Sequence, residues 1–176
     1  MISVVIPTLN EAKNIPTIIN ESKKLRYTYE LIFVDDNSQD GTATIVKKLK
    51  TNKVKFIKRI KKKKDLSKSI MLGINNSKYN NVLVMDCDLQ HNIDCANLMI
   101  KKFFKEKKDM VVGSRFLKKK YSGNLSFIRT TFSLLFILLI NLFFKKKTTD
   151  PLSGFFMCKK NLFLSYKKNF YLNGYK

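Results

Sequence analysis

Three short apolar runs, Ile2 to Ile6, Leu31 to Val34 and Val82 to Met85, punctuate the first half of the chain. Around them lie stretches with apolar residues at helical spacing, Asn14 to Leu25, Gly41 to Leu49 and Leu66 to Asn76, and one more extended segment, Val54-Lys55-Phe56-Ile57. Runs this short suit buried strands, and the longer amphipathic stretches suit helices. Strand alternating with helix predicts an α/β chain built on a parallel sheet. In such a sheet the carboxyl ends of the strands lie along one edge, and ligands bind in the crevice there.

Each of the three runs ends in polar or acidic residues. The first leads into Pro7-Thr8-Leu9-Asn10-Glu11, the second into Asp35-Asp36-Asn37-Ser38-Gln39-Asp40-Gly41-Thr42, and the third into Asp86-Cys87-Asp88-Leu89-Gln90-His91. The clusters are therefore expected to converge on one crevice. Side chains two apart on a strand share a face, so Asp86 and Asp88 would project together where the strand ends. Two carboxylates this close repel. Either one takes up a proton or a divalent cation sits between them, with Gln90 offering a third oxygen in step. The other reading is a solvated loop whose aspartates cap the next helix, and the segment alone leaves both open. His91, the single histidine, is placed at the start of that helix rather than in a catalytic role.

Asp36 to Gly41 opens like a calcium-binding loop, with oxygens at alternate positions and glycine sixth. The twelfth position is Lys47 where a bidentate glutamate is needed, which removes that reading. Asn37, Ser38 and Asp40 can instead make a turn and cap the following helix, leaving Asp36 free for a ligand.

In order along the chain, Pro-Thr-Leu-Asn-Glu from Pro7, Val-Asp-Asp-Asn-Ser-Gln-Asp-Gly-Thr from Val34, Met-Asp-Cys-Asp-Leu-Gln-His from Met85, Val-Gly-Ser-Arg ending at Arg115, and Asp150-Pro151-Leu152-Ser153-Gly154-Phe155 resemble the family 2 glycosyltransferases. Within that family they look most like the polyprenyl-phosphate (dolichol-phosphate) mannosyltransferases. The resemblance implies a single catalytic domain over residues 1–176 with a Rossmann-like GT-A nucleotide-diphospho-sugar transferase fold and a mostly parallel central sheet. It implies that Pro7, Leu9, Glu11, Val34, Asp36, Asp86, Cys87, Asp88 and Arg115 bind the nucleotide sugar. By the same likeness Asp86, Asp88 and Gln90 hold Mg²⁺ or Mn²⁺, and Asp88, Arg115 and Arg129 form the catalytic set. The implied reaction is inverting transfer of a hexose, foremost mannose from GDP-mannose, to a polyprenyl or dolichyl phosphate. Glucosyl and aminosugar transferases of the family share nearly the whole pattern and remain alternatives.

The chemistry suits these residue types. Negative charge builds on a departing nucleoside diphosphate, and a hard cation with oxygen ligands stabilises it. Arginine adds a planar fork of donors for phosphate. Only four of 35 basic residues are arginine, namely Arg26, Arg59, Arg115 and Arg129, so guanidinium geometry at Arg115 and Arg129 stands out against structural ion pairing. No protein base is evident, and a phosphate acceptor needs none: its second ionisation lies near pH ~6, and orienting two anions becomes the main task.

The formal charge of +22 and the lysine runs Lys61 to Lys64, Lys118 to Lys120 and Lys145 to Lys147 lack the interleaved aromatics of a base-stacking surface, which argues against nucleic acid. Lys145 to Lys147 instead follows the apolar segment Phe132 to Phe144, thirteen residues long and shorter than the ~20 needed to span a bilayer. The segment thus reads as a core helix or an interfacial one, and the basic cluster beside it suits an anionic membrane surface; the resemblance implies that residues 125–147 form the acceptor-side interface helix, with the lipid phosphate near Arg129 and room for a membrane-anchoring partner subunit. Three cysteines without metal-ligand spacing and a chain that enters a strand at once lead to the expectation of a cytoplasmic protein, peripheral on the cytosolic face of a membrane.

Two departures from the family qualify this expectation. Lys64-Asp65-Leu66-Ser67 replaces a glycine-rich segment before the third helix, so backbone freedom is expected to be lost there. Leu172-Asn173-Gly174-Tyr175-Lys176 resembles the start of the family's next helix, and a C-terminal part carrying a loop over the donor phosphates is expected to be missing. The alternative to an active transferase is thus a truncated nucleotide-sugar-binding fragment.

Overall fold

The structure, a computed structural model, describes residues 1–49, 51–60, 63–114 and 149–166. Its elements run β1 (Ile2–Thr8), α1 (Ile15–Ser22), β2 (Tyr29–Asp35), α2 (Thr42–Lys48), β3 (Val54–Lys58), α3 (Leu66–Asn75), β4 (Asn81–Val84), α4 (Ile93–Lys105), β5 (Met110–Val112), β6 (Phe156–Lys159) and α5 (Lys160–Ser165). The strands form one sheet in the order β3-β2-β1-β4-β6-β5. β1 pairs in parallel with β2 and β4, and β2 with β3, whereas β6 is antiparallel to both β4 and β5. The expected mostly parallel α/β sheet is therefore observed.

β1 lies in the middle of the parallel part and all seven of its residues are buried, as expected of a strand covered on both faces. Its side chains divide by alternation. Ile2, Val4 and Ile6 join Leu31, Phe33, Leu83 and Met85 in a core with Ile15 and Ile18 of α1, Val46 of α2 and Ile100 and Phe103 of α4. Val5 joins Ile32, Val34, Val82 and Val84 on the opposite face, against Ile74 of α3 and the partly buried Phe163 and Leu164 of α5. The result is a sheet with helices on both sides.

Element boundaries differ from expectation in small, local ways. α1 stops at Ser22 instead of Leu25 because the chain tightens into successive turns, Lys24 N donating to Glu21 O at 3.0 Å and Leu25 N to Ser22 O at 3.0 Å. Neither β5 nor β6 was anticipated, since each is too short to show a pattern of its own. β6 matters most. Running against β4, with Val84 opposite Phe156, it brings the chain segment before it, 150–155, to the edge where the parallel strands end.

The sequence turns back at β1: β2 and β3 are added on one side and β4 on the other. The boundary between β1 and β4 is the switch point at which α/β sheets open a crevice.

Gly73 shows how closely α3 rests on the sheet. A Cβ built there would lie 2.3 Å from Val5 Cγ1 and 3.1 Å from Val34 Cγ2. Replacing a mid-helix glycine by alanine normally adds about 1 kcal/mol of helix propensity, but here the methyl overpacks the interface, at a cost of about 1–3 kcal/mol. Gly73→Ala is expected to lower the urea midpoint of unfolding; a midpoint at or above that of the wild type would show that α3 does not sit this near the sheet.

Candidate functional site

The loops after β1 and β2 are stitched together. Asn10, at φ 59°, accepts the Gln39 N–H at 3.0 Å on Oδ1 while its own N–H donates to Ser38 Oγ at 2.8 Å. Asp40 accepts from Ala12 N at 2.9 Å, from Thr42 N at 3.0 Å and from Thr42 Oγ1 at 2.6 Å, and Thr42 Oγ1 accepts from Glu11 N at 3.1 Å. Ser38 Oγ also donates to Asp35. Partial burial pushes the Asp40 carboxyl up, but the hydrogen bonds from Thr42 and Ala12 outweigh it and leave the group below its ordinary value. The turn expected of Asn37, Ser38 and Asp40 is present, and it serves mainly to fix the neighbouring loop.

Asp36 is not free, as expected from sequence, but the centre of a buried knot. Its side chain is 6% exposed and that of Arg59 8%, with Arg59 Nη2 2.5 Å from Asp36 Oδ1. Asp36 Oδ2 accepts the Asp65 N–H at 2.5 Å, its N–H donates to Thr8 O at 2.9 Å, and Arg59 N donates to Asp35 O at 2.8 Å. Arg59 Nη2 also donates to Lys63 O at 2.9 Å. The Arg59–Asp36 approach is an ion pair rather than a directed hydrogen bond; Arg59 Nε and Thr8 Oγ1 are buried without a hydrogen-bond partner among the described residues. Asp65, standing where glycine was expected, caps α3 by accepting from Lys68 N at 3.0 Å. The lost backbone freedom is thus replaced by a cap and a link to Asp36.

The remaining expected residues occupy the same edge. Pro7 and Val34 are buried register partners on β1 and β2, Leu9 is 38% exposed, and Glu11 accepts from Asn14 Nδ2 at 2.6 Å. Asp86 and Asp88 lie just beyond the end of β4, as expected, past the last ladder bond from Met85 N to Val5 O. Leu89, at φ 62°, turns the chain, and Gln90 N donates to Asp88 Oδ1 at 3.1 Å. Asp86 is partly open and Asp88 and Gln90 are exposed. Cys87 between the aspartates is only 2% exposed, so its side chain is closed to a ligand. Burial, then the charges of Glu11, Asp88 and Asp86, push its thiol up to about 12.

The segment before β6 closes the other side. A Cβ at Gly154 would lie 3.6 Å from Asp86 Oδ2. Ser153 Oγ donates to Gly113 O at 2.6 Å and Gly113 N to Phe155 O at 2.8 Å, joining the Val-Gly-Ser and Asp-Pro-Leu-Ser-Gly-Phe segments. Arg115, Arg129 and the whole of 125–147 lie outside the described residues.

Among the described residues no three of His, Cys, Asp and Glu form a metal cluster. Two partly open carboxylates are nevertheless the share that a Mg²⁺-like ion takes from protein when substrate phosphates complete its shell, and Gly154 leaves space beside Asp86. The residues fit such an ion.

Arg59 was the residue overlooked in the sequence. Its signal was present: one of four arginines in a lysine-dominated chain, directly after a predicted strand.

A sheet of this order, with acidic loops at its switch point, is a Rossmann-like domain of the GT-A type. The chain belongs to glycosyl transferase family 2, whose sequence model matches residues 3–166. It is 32% identical over 166 residues to a dolichol-phosphate mannosyltransferase of Pyrococcus furiosus, covering 92% of this chain and 47% of that protein. It is also 32% identical over 150 residues to the putative glycosyltransferase CsbB of Bacillus subtilis, covering 80% of this chain and 43% of the relative. The chain thus spans about half the length of the curated relatives it matches. Glucosyl-3-phosphoglycerate synthase from Mycobacterium tuberculosis, solved with Mn²⁺, UDP and phosphoglyceric acid, is similar at a TM-score of 0.70 and 18% identity over 92% of this chain and 56% of that one. A mannosyltransferase from Pyrobaculum calidifontis, solved with GDP-Man and Mn²⁺, is similar at 0.55 and 20% identity over 64% of this chain and 35% of that one. At these identities the structural likeness is one of fold.

Removing one partner of a buried ion pair leaves an uncompensated charge, at a cost of about 3–5 kcal/mol. Arg59→Ala is expected to lose that much stability in urea unfolding, and a loss below about 1 kcal/mol would show that the pair does not hold the strand ends.

Cys158, also buried, is likewise raised to about 12. Below the ordinary thiol value of 9.0 both cysteines are neutral folded or unfolded; between 9.0 and about 12 only the unfolded chain ionises them, so their contribution to stability falls as pH rises through that window. Iodoacetamide at mildly alkaline pH is expected to spare Cys87 and Cys158 in the native chain and to label both in urea. Mass spectrometry showing native Cys87 labelled at the unfolded rate would refute the closed floor of the site.

Proposed function

We propose that this chain is the catalytic part of an inverting glycosyltransferase that moves a hexose, foremost mannose from GDP-mannose, to a polyprenyl or dolichyl phosphate. The observation that carries this reading is the pair Asp86 and Asp88 at the switch-point crevice of a family 2 domain, with Glu11 in the loop after β1. The 32% identity to a dolichol-phosphate mannosyltransferase over 92% of the chain favours the lipid-phosphate acceptor.

In this reading the stitched loops after β1 and β2 form the nucleoside side of the crevice, and Asp86, Asp88 and Gln90 the diphosphate side. Asp86, Asp88 and Gln90 would hold Mg²⁺ or Mn²⁺, whose charge neutralises the leaving diphosphate. An acceptor phosphate oxygen forms the new bond to the anomeric carbon as the bond to the diphosphate breaks, inverting the configuration. The nucleophile is already an anion near neutral pH, so the site's work is to hold two anionic groups in line. Arg115 and Arg129 are assigned to the phosphates by their place in the family motifs. Residues 125–147 are assigned to contact with an anionic membrane from the cytosolic side, where a membrane-anchoring subunit could join; among the described residues no helix is long and apolar enough to cross a membrane.

A second reading, a nucleotide-sugar-binding fragment that needs a further part for turnover, is favoured by the chain's spanning about half of its curated relatives. Purified chain given labelled GDP-mannose or UDP-glucose with polyprenyl phosphate and Mn²⁺ is expected to yield labelled lipid from GDP-mannose. Nucleotide binding without transfer would select the fragment, and label from UDP-glucose would reassign the donor. Asp88→Ala is expected to abolish Mn²⁺-dependent donor binding in calorimetry, and unchanged binding would end the metal assignment.

A further inference from the structure

His91 is the chain's only histidine, and α4 does not need it. The helix is capped by Asn92, whose side chain accepts from Asp94 N at 2.7 Å. The imidazole turns back toward the crevice instead. Its Nε2 lies 3.3 Å from Asp86 Oδ2, and its face stacks on Phe155 with centroids 4.4 Å apart and planes 19° from parallel. The ring is 18% exposed while Asp86 is 41% exposed. Phe155 is itself 4% exposed and anchored by its backbone, with its N–H donating to Ser153 Oγ at 3.2 Å and its carbonyl accepting from Gly113 N. The ring therefore leans on a fixed surface and reaches a carboxylate that is otherwise half open to water.

We infer that His91 is a positioning residue for Asp86. A carboxylate can only accept, so in this contact the proton sits on Nε2 and His91 donates to Oδ2. The other oxygen is then left to face the crevice. The terminal torsion of an aspartate is broad, and an exposed carboxylate would otherwise be ordered only when its ligand arrives. Phe155 supplies the rigidity, so the segment 150–155 reaches the diphosphate side of the site through the His91 ring. The inference rests on the reading of Asp86 as a ligand of a divalent cation. Donors that orient a metal ligand from behind typically change metal affinity about 10- to 100-fold when removed.

Two substitutions separate the hydrogen bond from the packing. His91→Phe keeps a ring to stack on Phe155 and removes the N–H; His91→Gln removes the ring and keeps an amide N–H able to reach Asp86. Mn²⁺ alone, titrated into the full chain and followed by the electron spin resonance of the free ion, is expected to bind about tenfold more weakly or worse to His91→Phe and to retain most of its affinity for His91→Gln. Thermal melting of each variant in the absence of metal reports whether the fold is kept. A folded His91→Phe that binds Mn²⁺ like the wild type overturns the inference, as does a His91→Gln that loses as much affinity as His91→Phe. A wild-type chain that binds no Mn²⁺ overturns the reading of Asp86 as a cation ligand, an outcome distinct from the other two.

Discussion

The buried carboxylate of Asp36 is the point on which the working edge of this sheet depends. Its backbone ties the end of β2 to Thr8 of β1, one oxygen faces Arg59 at the end of β3, and the other takes the N–H of Asp65 at the start of α3. Four segments separated by as many as 57 positions are thereby fixed relative to one another by the backbone and side chain of a single residue. Such an ion pair is not an efficient source of stability, because desolvating both charges offsets most of their attraction. What it provides is register. Ladder hydrogen bonds set the spacing of the strands, but only contacts beyond the last ladder bond set where the loops go. A single guanidinium nitrogen, Arg59 Nη2, meets both Asp36 and the Lys63 carbonyl, so the pair also holds the start of the segment that leads into α3.

The distribution of acidic residues follows the same logic. Glu11, Asp35, Asp36, Asp40, Asp65, Asp86 and Asp88, seven of the chain's thirteen carboxylates, sit at the carboxyl edge of the sheet or in the loops that leave it. In a chain of formal charge +22, this clustering is the opposite of what random lysine enrichment would give. Four of the seven, Asp35, Asp36, Asp40 and Asp65, are engaged by hydrogen bonds or ion pairs that organise loops. The paired aspartates and Glu11 gather unlike-charge demand at one place, which a divalent cation would satisfy.

Much of this was legible in the sequence because the informative residues belong to short segments whose local chemistry and period are unambiguous. β1, β2, β3 and β4 announced themselves as apolar runs, and the polar residues that follow them sit where a parallel sheet puts them. The strands that close the sheet did not. β5 has three residues and β6 four, and their pairing depends on partners distant in sequence, which no local pattern encodes. The site was misread wherever a side chain's partner came from another segment. Asp36 was taken as free because its partner Arg59 lies 23 positions away, whereas Asp86 and Asp88 lie where expected, just past the end of the third apolar run.

The two sides of the crevice are prepared to different degrees, and the difference suits the ligands proposed for them. The loops after β1 and β2 are locked together by Asn10, Ser38, Asp40 and Thr42 without any ligand, which suits the fixed shape of the nucleoside proposed to bind there. A diphosphate with a cation brings its own charge and several of its own oxygens, so a closed cage would exclude it. Here Asp86 and Asp88 are each held by one oxygen, the first by His91 Nε2 and the second by Gln90 N. Leu89, between Asp88 and Gln90, stays in the left-handed region at φ 62°, an arrangement that costs a non-glycine residue on the order of 1 kcal/mol and is spanned by the Gln90 N–H bond to Asp88 Oδ1. Anchoring each carboxylate through one atom fixes its direction without spending its capacity to bind, which is what a site completed by its own substrate requires.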